Sequence, residues 1–159
     1  MKIEMYNWAK DLFPLNRSLT GDGVRATLSY IKKKITPNLK IVNVETGKKF
    51  YDWTVPLEWK ISDAYIKDNK GLRIVDFKKN NLHVVGYSMP INKKIHFSNL
   101  KNKLHFLKSQ PKAIPYRTSY YKKNWGFCLS YNDYKKFKKN SIYHVHIDSR
   151  LFNGKLNYG

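Results

Sequence analysis

Apolar residues recur at helical spacing at the start of the chain. Met5, Trp8, Ala9 and Leu12 fall at i, i+3, i+4 and i+7, one face of a short helix over residues 4–13 that Pro14 ends. A polar loop, Asn16-Arg17-Ser18-Leu19-Thr20-Gly21-Asp22-Gly23, leads into a second helix in which Val24, Leu28, Ile31 and Ile35 share a face. Thr20 or Asp22 can cap it, Lys32-Lys33-Lys34 suit the negative end of its dipole, and Pro37 closes it. The opening is a helical hairpin with an apolar face that wants a partner.

From Leu39 the pattern changes to short runs rich in β-branched and aromatic residues. Leu39–Glu45 predicts a strand, Gly47 a turn, and Phe50–Val55 a second strand broken by Pro56. Ala64-Tyr65-Ile66 and Leu72–Val75 flank Asp68-Asn69-Lys70-Gly71, a hairpin signal. Leu82–Tyr87 predicts another strand, and Ser98 is the expected cap of a short helix using Leu100, Leu104 and Leu107. Tyr116–Tyr121 and Trp125–Leu129 read as a strand pair joined by Lys122-Lys123-Asn124. Tyr131–Lys139 predicts one or two helical turns, and Ser141–Ile147 alternates as a strand. Asn153-Gly154 is a strong hairpin signal, with Leu156-Asn157-Tyr158 as the returning strand. A chain that stops at Gly159 as a strand begins reads as truncated. The fold class is α+β.

Composition narrows the picture. At 159 residues with 42% hydrophobic and 15% aromatic content, the chain can bury a core and is not disordered. No apolar run approaches the ~20 residues of a membrane span, and the amino end lacks the apolar stretch of a secretory signal. A lone cysteine, Cys128, excludes an internal disulfide and fits a reducing compartment. The expected location is the cytoplasm, with no membrane partner.

The net charge of +20 needs a discount. It comes from 26 Lys and only 5 Arg, beside 15 Asn, 12 Ile and 12 Tyr, the mixture that AT-rich codons write on any protein. One feature survives. No acidic residue lies between Asp76 and Asp133, while eleven Lys and Arg do. That stretch is either a solvated lysine surface or a face for phosphates and anionic glycans, screened by salt.

Four groups of residues carry candidate chemistry. His144 and His146 alternate in a predicted strand and can share a metal, but no third ligand is near; the alternative is a polar outer face opposite Tyr143, Val145 and Ile147. Cys128, within an apolar strand, is either a nucleophile needing a His partner or a small core residue. Gly21-Asp22-Gly23 before a helix suggests a phosphate turn but has neither known glycine spacing, so a helix start is the plainer reading. Tyr116, Tyr120, Tyr121 and Trp125 among Arg117, Lys122 and Lys123 supply a nucleic-acid platform, a sugar or peptide cleft, or a tyrosine-rich sheet face. Glu58, Asp63 and Asp76 form no acid–base pair that sequence alone reveals.

Longer phrases carry a resemblance. Leu12-Phe13-Pro14-Leu15-Asn16-Arg17-Ser18-Leu19-Thr20-Gly21-Asp22-Gly23-Val24-Arg25 and Tyr51-Asp52-Trp53-Thr54-Val55-Pro56-Leu57-Glu58-Trp59 resemble the bacterial zinc-aminopeptidase-like family. So do the runs Asp76–Ser88, Ile114–Tyr121 and Trp125–Ser130. The resemblance implies a zinc-dependent peptidase with a β-rich domain inserted early, a winged helix at the carboxyl end, and frequent association with polysaccharide biosynthesis. It implies that residues 1–45 open the peptidase α/β domain with two helices and a first strand. Residues 46–150 would be the inserted, mostly antiparallel β domain with short helices, and 151–159 the start of the return strand.

In that family the metal ligands lie downstream of the return strand. The expectation is therefore a fragment incomplete for catalysis, with zinc in the complete protein and none bound by this chain alone. Its expected partners are the missing carboxyl-terminal half, or a second copy, with a peptide or aminoacyl substrate for the whole. An exposed apolar patch at Val24, Leu28, Ile31 and Ile35 would mark the docking face. Arg17 and Thr20 in the loop, with Tyr116, Thr118 and Tyr120 on one alternating face, are the candidates for shaping a substrate cleft; a structural role is the alternative. The competing reading is a non-enzymatic module that binds an anionic polymer, either nucleic acid (the less favoured) or acidic polysaccharide.

Overall fold

Two helices open the chain, as the spacing of apolar residues predicts. In the computed structural model, which describes residues 2–120 and 122–159, α1 spans Lys2–Leu12 and α2 spans Asp22–Lys34. No residue of α2 is buried, and none of the side chains described in α1 is either. The cap differs from expectation. Gly21 stands at the N-cap with φ 101° and no side chain caps the helix. Thr20 is otherwise engaged, its Oγ1 accepting from the Trp59 N–H at 3.2 Å, while Asp22 is already helical. A side chain at residue 21 would meet the Trp59 carbonyl oxygen at 2.7 Å, so the helix start needs glycine for space as well as for φ.

The chain packs as two compact units, Met1–Lys60 with Leu151–Gly159, and Ile61–Arg150. In the first, β1 (Val42–Glu45) pairs antiparallel with β10 (Lys155–Tyr158), Val44 opposite Leu156. Residues 50–55 do not make one strand. They fold back as β2 (Lys49–Phe50) and β3 (Trp53–Thr54) around Tyr51, whose φ is 54°. The chain leaves this unit within β4 (Glu58–Lys67) and returns within β9 (Ile142–Phe152).

The second unit is built on a four-stranded sheet of order β5–β4–β9–β6, with β5 at Arg73–Asp76 and β6 at Ile91–His96. β5 pairs antiparallel with β4 and β6 antiparallel with β9. Alternation sends Ala64 and Ile66, Val75, and Tyr143, Val145 and Ile147 into the core. There Phe97 of α3 (Phe97–Leu100) meets Phe137 at 5.8 Å between ring centres, and Phe137 meets Tyr143 at 4.8 Å. A parallel pair, β7 (Leu104–His105) with β8 (Phe127–Cys128), and α4 (Tyr131–Tyr134) complete the unit. The architecture is mixed α and β, mostly antiparallel, with few helices.

The structure departs from several sequence expectations. Leu82–Tyr87 is not a strand: Asn80 accepts from the Leu82 N–H at 2.9 Å and starts a 3-10 turn over Asn81–His83. Ser98 is not the cap of α3. His96 is, and after Leu100 the helix tightens into a 3-10 turn over Lys101–Lys103 before Leu104 enters β7. Tyr116–Tyr121 and Trp125–Leu129 do not pair with each other; Thr118 bridges Gly86, and Phe127-Cys128 joins β7, while Tyr121 lies outside the described residues. Asn153-Gly154 is a corner rather than a hairpin, since β9 pairs within the four-stranded sheet and β10 with β1. Of the one or two helical turns expected over Tyr131–Lys139, one forms, at Tyr131–Tyr134.

Ile66 is fully buried and Ile142 is 54% exposed. Ile66→Ala is expected to cost about 2–5 kcal/mol through lost burial and a cavity, and Ile142→Ala under about 0.5 kcal/mol. Urea unfolding of the two variants checks this; equal losses would contradict the assigned sheet faces.

Candidate functional site

In the first unit the polar residues converge on one carboxylate. Glu58, at the start of β4, has a side chain only 5% exposed. Arg25 on α2 donates Nη2 to Glu58 Oε1 at 2.6 Å, and the Lys155 N–H of β10 donates to Oε2 at 2.9 Å. Arg25 Nη1 also reaches Asn157 Oδ1 at 3.2 Å, and Asn157 donates to Asn43 on β1. Asp22 binds Arg25 one turn away and Lys60 at 3.2 Å. Gly154 leaves room for this: a Cβ there would collide with the Glu58 carboxylate. Burial acts to raise the Glu58 pKa, but hydrogen bonds from Arg25 and Lys155 and the Arg25 charge outweigh it and hold the group below its ordinary 4.5. The network ties α2, β4, β1 and β10 to one another. It is a structural pin.

The five candidate cleft residues fall in both units. Arg17 is exposed in the loop between α1 and α2, and Thr20 is buried with its hydroxyl on the Trp59 N–H. In the second unit Tyr116 is 63% exposed, Thr118 Oγ1 donates weakly to the Gly86 carbonyl at 3.5 Å, and the Tyr120 ring lies 5.8 Å from Tyr87. Tyr87 is buried with φ 64°, an unusual backbone for a bulky residue. Ser88 beside it is tied on all sides: its hydroxyl donates to the Val85 carbonyl and accepts from the Gly126 N–H, and its carbonyl accepts from Ser149. Sequence reasoning gave no sign of this knot, because positive φ at tyrosine has no composition signal.

Nearby, Lys103 Nζ sits 5.4 Å from the Trp125 ring centre and bonds Asn124 Oδ1 at 2.7 Å. Burial, then the charges of Arg117 and Lys103, lower the His105 pKa. Cys128 is fully buried, and burial pushes its thiol up to about 12 against the weaker pull of Arg117. It is a core residue.

The exposed face of the four-stranded sheet carries both candidate metal ligands. His144 and His146 ring centres are 6.4 Å apart. His144 Nε2 bonds Asn92 Oδ1 at 2.6 Å, and His146 stacks on Tyr65 at 4.8 Å. Among the described residues no three His, Cys, Asp or Glu side chains group to hold a metal. This donor set does not fit a hydrolytic zinc, and no step through zinc follows from it. The described residues also include no helix long and apolar enough to cross a membrane.

Comparisons with known proteins agree with this mixed, mostly antiparallel fold. Residues 58–150 match the model of a domain of unknown function, DUF2172, and the chain belongs to that family. It is 48% identical over 156 residues to a Clostridium acetobutylicum protein described as "Putative polysaccharide biosynthesis protein with aminopeptidase-like domain". That match covers 98% of this chain and 35% of the relative. A crystal structure described as a "putative peptidase" from the same organism superposes with a TM-score of 0.92 at 48% identity, over 98% of this chain and 36% of that one. The chain thus spans about a third of the length of the relatives it matches.

Glu58→Gln is expected to cost about 1.5–3 kcal/mol, the range for hydrogen bonds to a charged group. A carboxylate with a lowered folded pKa adds stability that is complete above its ordinary 4.5 and disappears as pH falls through the folded value. The native chain should therefore lose stability on acidification below that point, and Glu58→Gln should lose less of it; urea midpoints from pH 3 to 7 measure both. For Cys128, iodoacetamide at pH 8 should label the folded chain far more slowly than the chain in denaturant. Comparable rates would show an accessible thiolate.

Proposed function

We propose that this chain forms the amino-terminal portion of an aminopeptidase-like protein. Residues 1–45 and 151–159 would contribute to a peptidase-type α/β domain, and residues 46–150 would be an accessory domain inserted into it. The observation that carries the reading is 48% identity across 98% of the chain to a protein named for its aminopeptidase-like domain.

Physical features of the first unit support it. A two-stranded sheet such as β1–β10 is marginal alone and gains stability from further strands or covering helices. The helices before it in sequence bury no described side chain; Tyr6 of α1 is 71% exposed, and Phe13 and Ile35, just past the ends of α1 and α2, are 57% and 36% exposed. Val24, Leu28 and Ile31, on the apolar stripe of α2, are only half-buried. In this reading residues outside this chain complete the sheet and cover the helices. They would also hold a zinc, which would supply Lewis-acid activation of a water and of the scissile carbonyl of a peptide or aminoacyl substrate.

The experiment expresses this chain together with the part of the Clostridium relative beyond the matched region. Equimolar copurification and chelator-sensitive hydrolysis of aminoacyl p-nitroanilides are expected, with no hydrolysis by the chain alone. A chain that remains separate from that segment, or that hydrolyses the substrates unaided, overturns the proposal.

A further inference from the structure

The four-stranded sheet of Ile61–Arg150 has two unlike faces. One is the apolar core. On the other, alternation and register set Tyr65 and Lys67 of β4 and His144 and His146 of β9 alongside Asn92 and Lys94 of β6, Lys94 directly opposite His144. At the end of this face next to the β4–β5 turn lies a cavity of about 370 Å³. Lys67, Asp68 and Asn69 line it on one side, and Lys94, Ile142 and His144 on the other.

The charges on this face of the sheet are unevenly satisfied. Arg73 on the same face is neutralised by Asp63 at 3.1 Å and Asp76 at 3.0 Å. Lys67 and Lys94 have no ion-pair partner among the described residues; Lys67 Nζ lies only over the Tyr65 ring, 4.5 Å from its centre. Two lysines lining one hollow make a place for an anion. Burial, then His146, Lys67 and Lys94, lower the His144 pKa, so its imidazole is neutral near pH 7. Its Nε2–H is used on Asn92, which leaves Nδ1 as an acceptor.

Acceptors stand beside the cations. Asp68 Oδ1 takes the Lys70 and Leu72 N–H groups, both at 2.9 Å, and so shapes the turn. Its second oxygen is left to accept from a ligand. Ile142, 54% exposed, adds an apolar wall. A bare phosphate or carboxylate would satisfy the lysines and leave the acceptors and the apolar wall unused. The volume lies in the range of small-molecule sites.

We propose that this cavity binds an acidic sugar, a pyranose carrying a carboxylate or phosphate. Lys67 and Lys94 hold the anionic group, Asp68 and His144 Nδ1 accept from ring hydroxyls, and Ile142 lies against the ring carbons. The site is separate from the peptidase reading and stands or falls without it.

The test is an NMR titration of the full 159-residue chain with glucuronate, glucose 1-phosphate, glucose and inorganic phosphate. Saturable shifts of the His144 ring and the Asn69 and Gly71 amides are expected with glucuronate or glucose 1-phosphate, and whichever binds tighter identifies the acid group. Glucose and inorganic phosphate should each bind about tenfold more weakly or worse, because each satisfies half of the site. The K67A/K94A double variant should lose about tenfold in affinity, as two partly exposed ion pairs contribute. Asp68→Asn keeps the acceptor that the turn needs and should also weaken the sugar. A charge-matched control, K101A/K108A, should bind as the parent does. Absence of saturable shifts, phosphate binding as tightly as either sugar, or an equal loss in the control would each overturn the proposal.

Discussion

The first unit depends on keeping one buried carboxylate charged. Glu58 is nearly out of water, and an ionised carboxylate there is tolerated only while donors surround it. Those donors come from separate parts of the chain: the guanidinium of Arg25 on α2 and the peptide N–H of Lys155 on β10. Arg25 extends the bond set to Asn157, and Asn157 extends it to Asn43 on β1. One charge therefore fixes the helix, the return strand and its partner strand in register. The same demand explains two glycines. Gly154 lets the backbone pass beside the carboxylate, and Gly21 lets the start of α2 lie against the Trp59 carbonyl. With little apolar burial in the helices, this pin adds to the order supplied by the few buried apolar residues of the unit, Val44, Val55 and Trp59.

The second unit is organised the opposite way, by alternation along two long strands. β4 and β9 send every second residue into an aromatic and aliphatic core that includes Phe97, Phe127, Phe137 and Tyr143. The remaining residues of the same strands make a face of histidine, tyrosine and lysine. Tyr65 organises that face, with His146 stacked on its ring and with Arg73 and Lys67 each at cation–π distance from it. Packing and recognition are thus divided between the two sides of one sheet, and substitutions on the outer side can alter binding without disturbing the core.

How much of this was legible in the sequence depended on whether the signal was local. The helices were legible because Met5, Trp8 and Leu12, and Val24, Leu28 and Ile31, repeat at helical spacing with prolines beyond them. The hairpin at Asp68–Gly71 was legible because aspartate and glycine carry the turn chemistry in place. Cys128 was readable as core, with a single thiol set in an apolar run. β6 escaped notice, since Ile91-Asn92-Lys93-Lys94-Ile95-His96 shows too few apolar residues; it is an outer strand whose place is set by pairing with β9. Asn153-Gly154 misled for a related reason. Turn propensity marks a change of direction and says nothing about which strands pair across it. The Arg25–Glu58 pin spans 33 positions, and the Lys94–His144 register 50, so neither leaves a motif.

The surplus of positive charge acquires a meaning only where geometry confines it. The acids are few and are used structurally: Asp22 and Glu58 on Arg25, Asp63 and Asp76 on Arg73, Asp133 on Lys136, and Glu45 on Lys155. With carboxylates committed to these pairs, many lysines stand in solvent, where a single ammonium is hydrated and weakly attractive. Lys67 and Lys94 differ in sharing one hollow, beside a neutral imidazole and a carboxylate partly occupied by the turn. A polymer held by scattered lysines would need only their number. A ligand held here must match a pair of charges, a set of acceptors and one apolar wall at once. In the proposed site, specificity comes from this match, which scattered lysines lack.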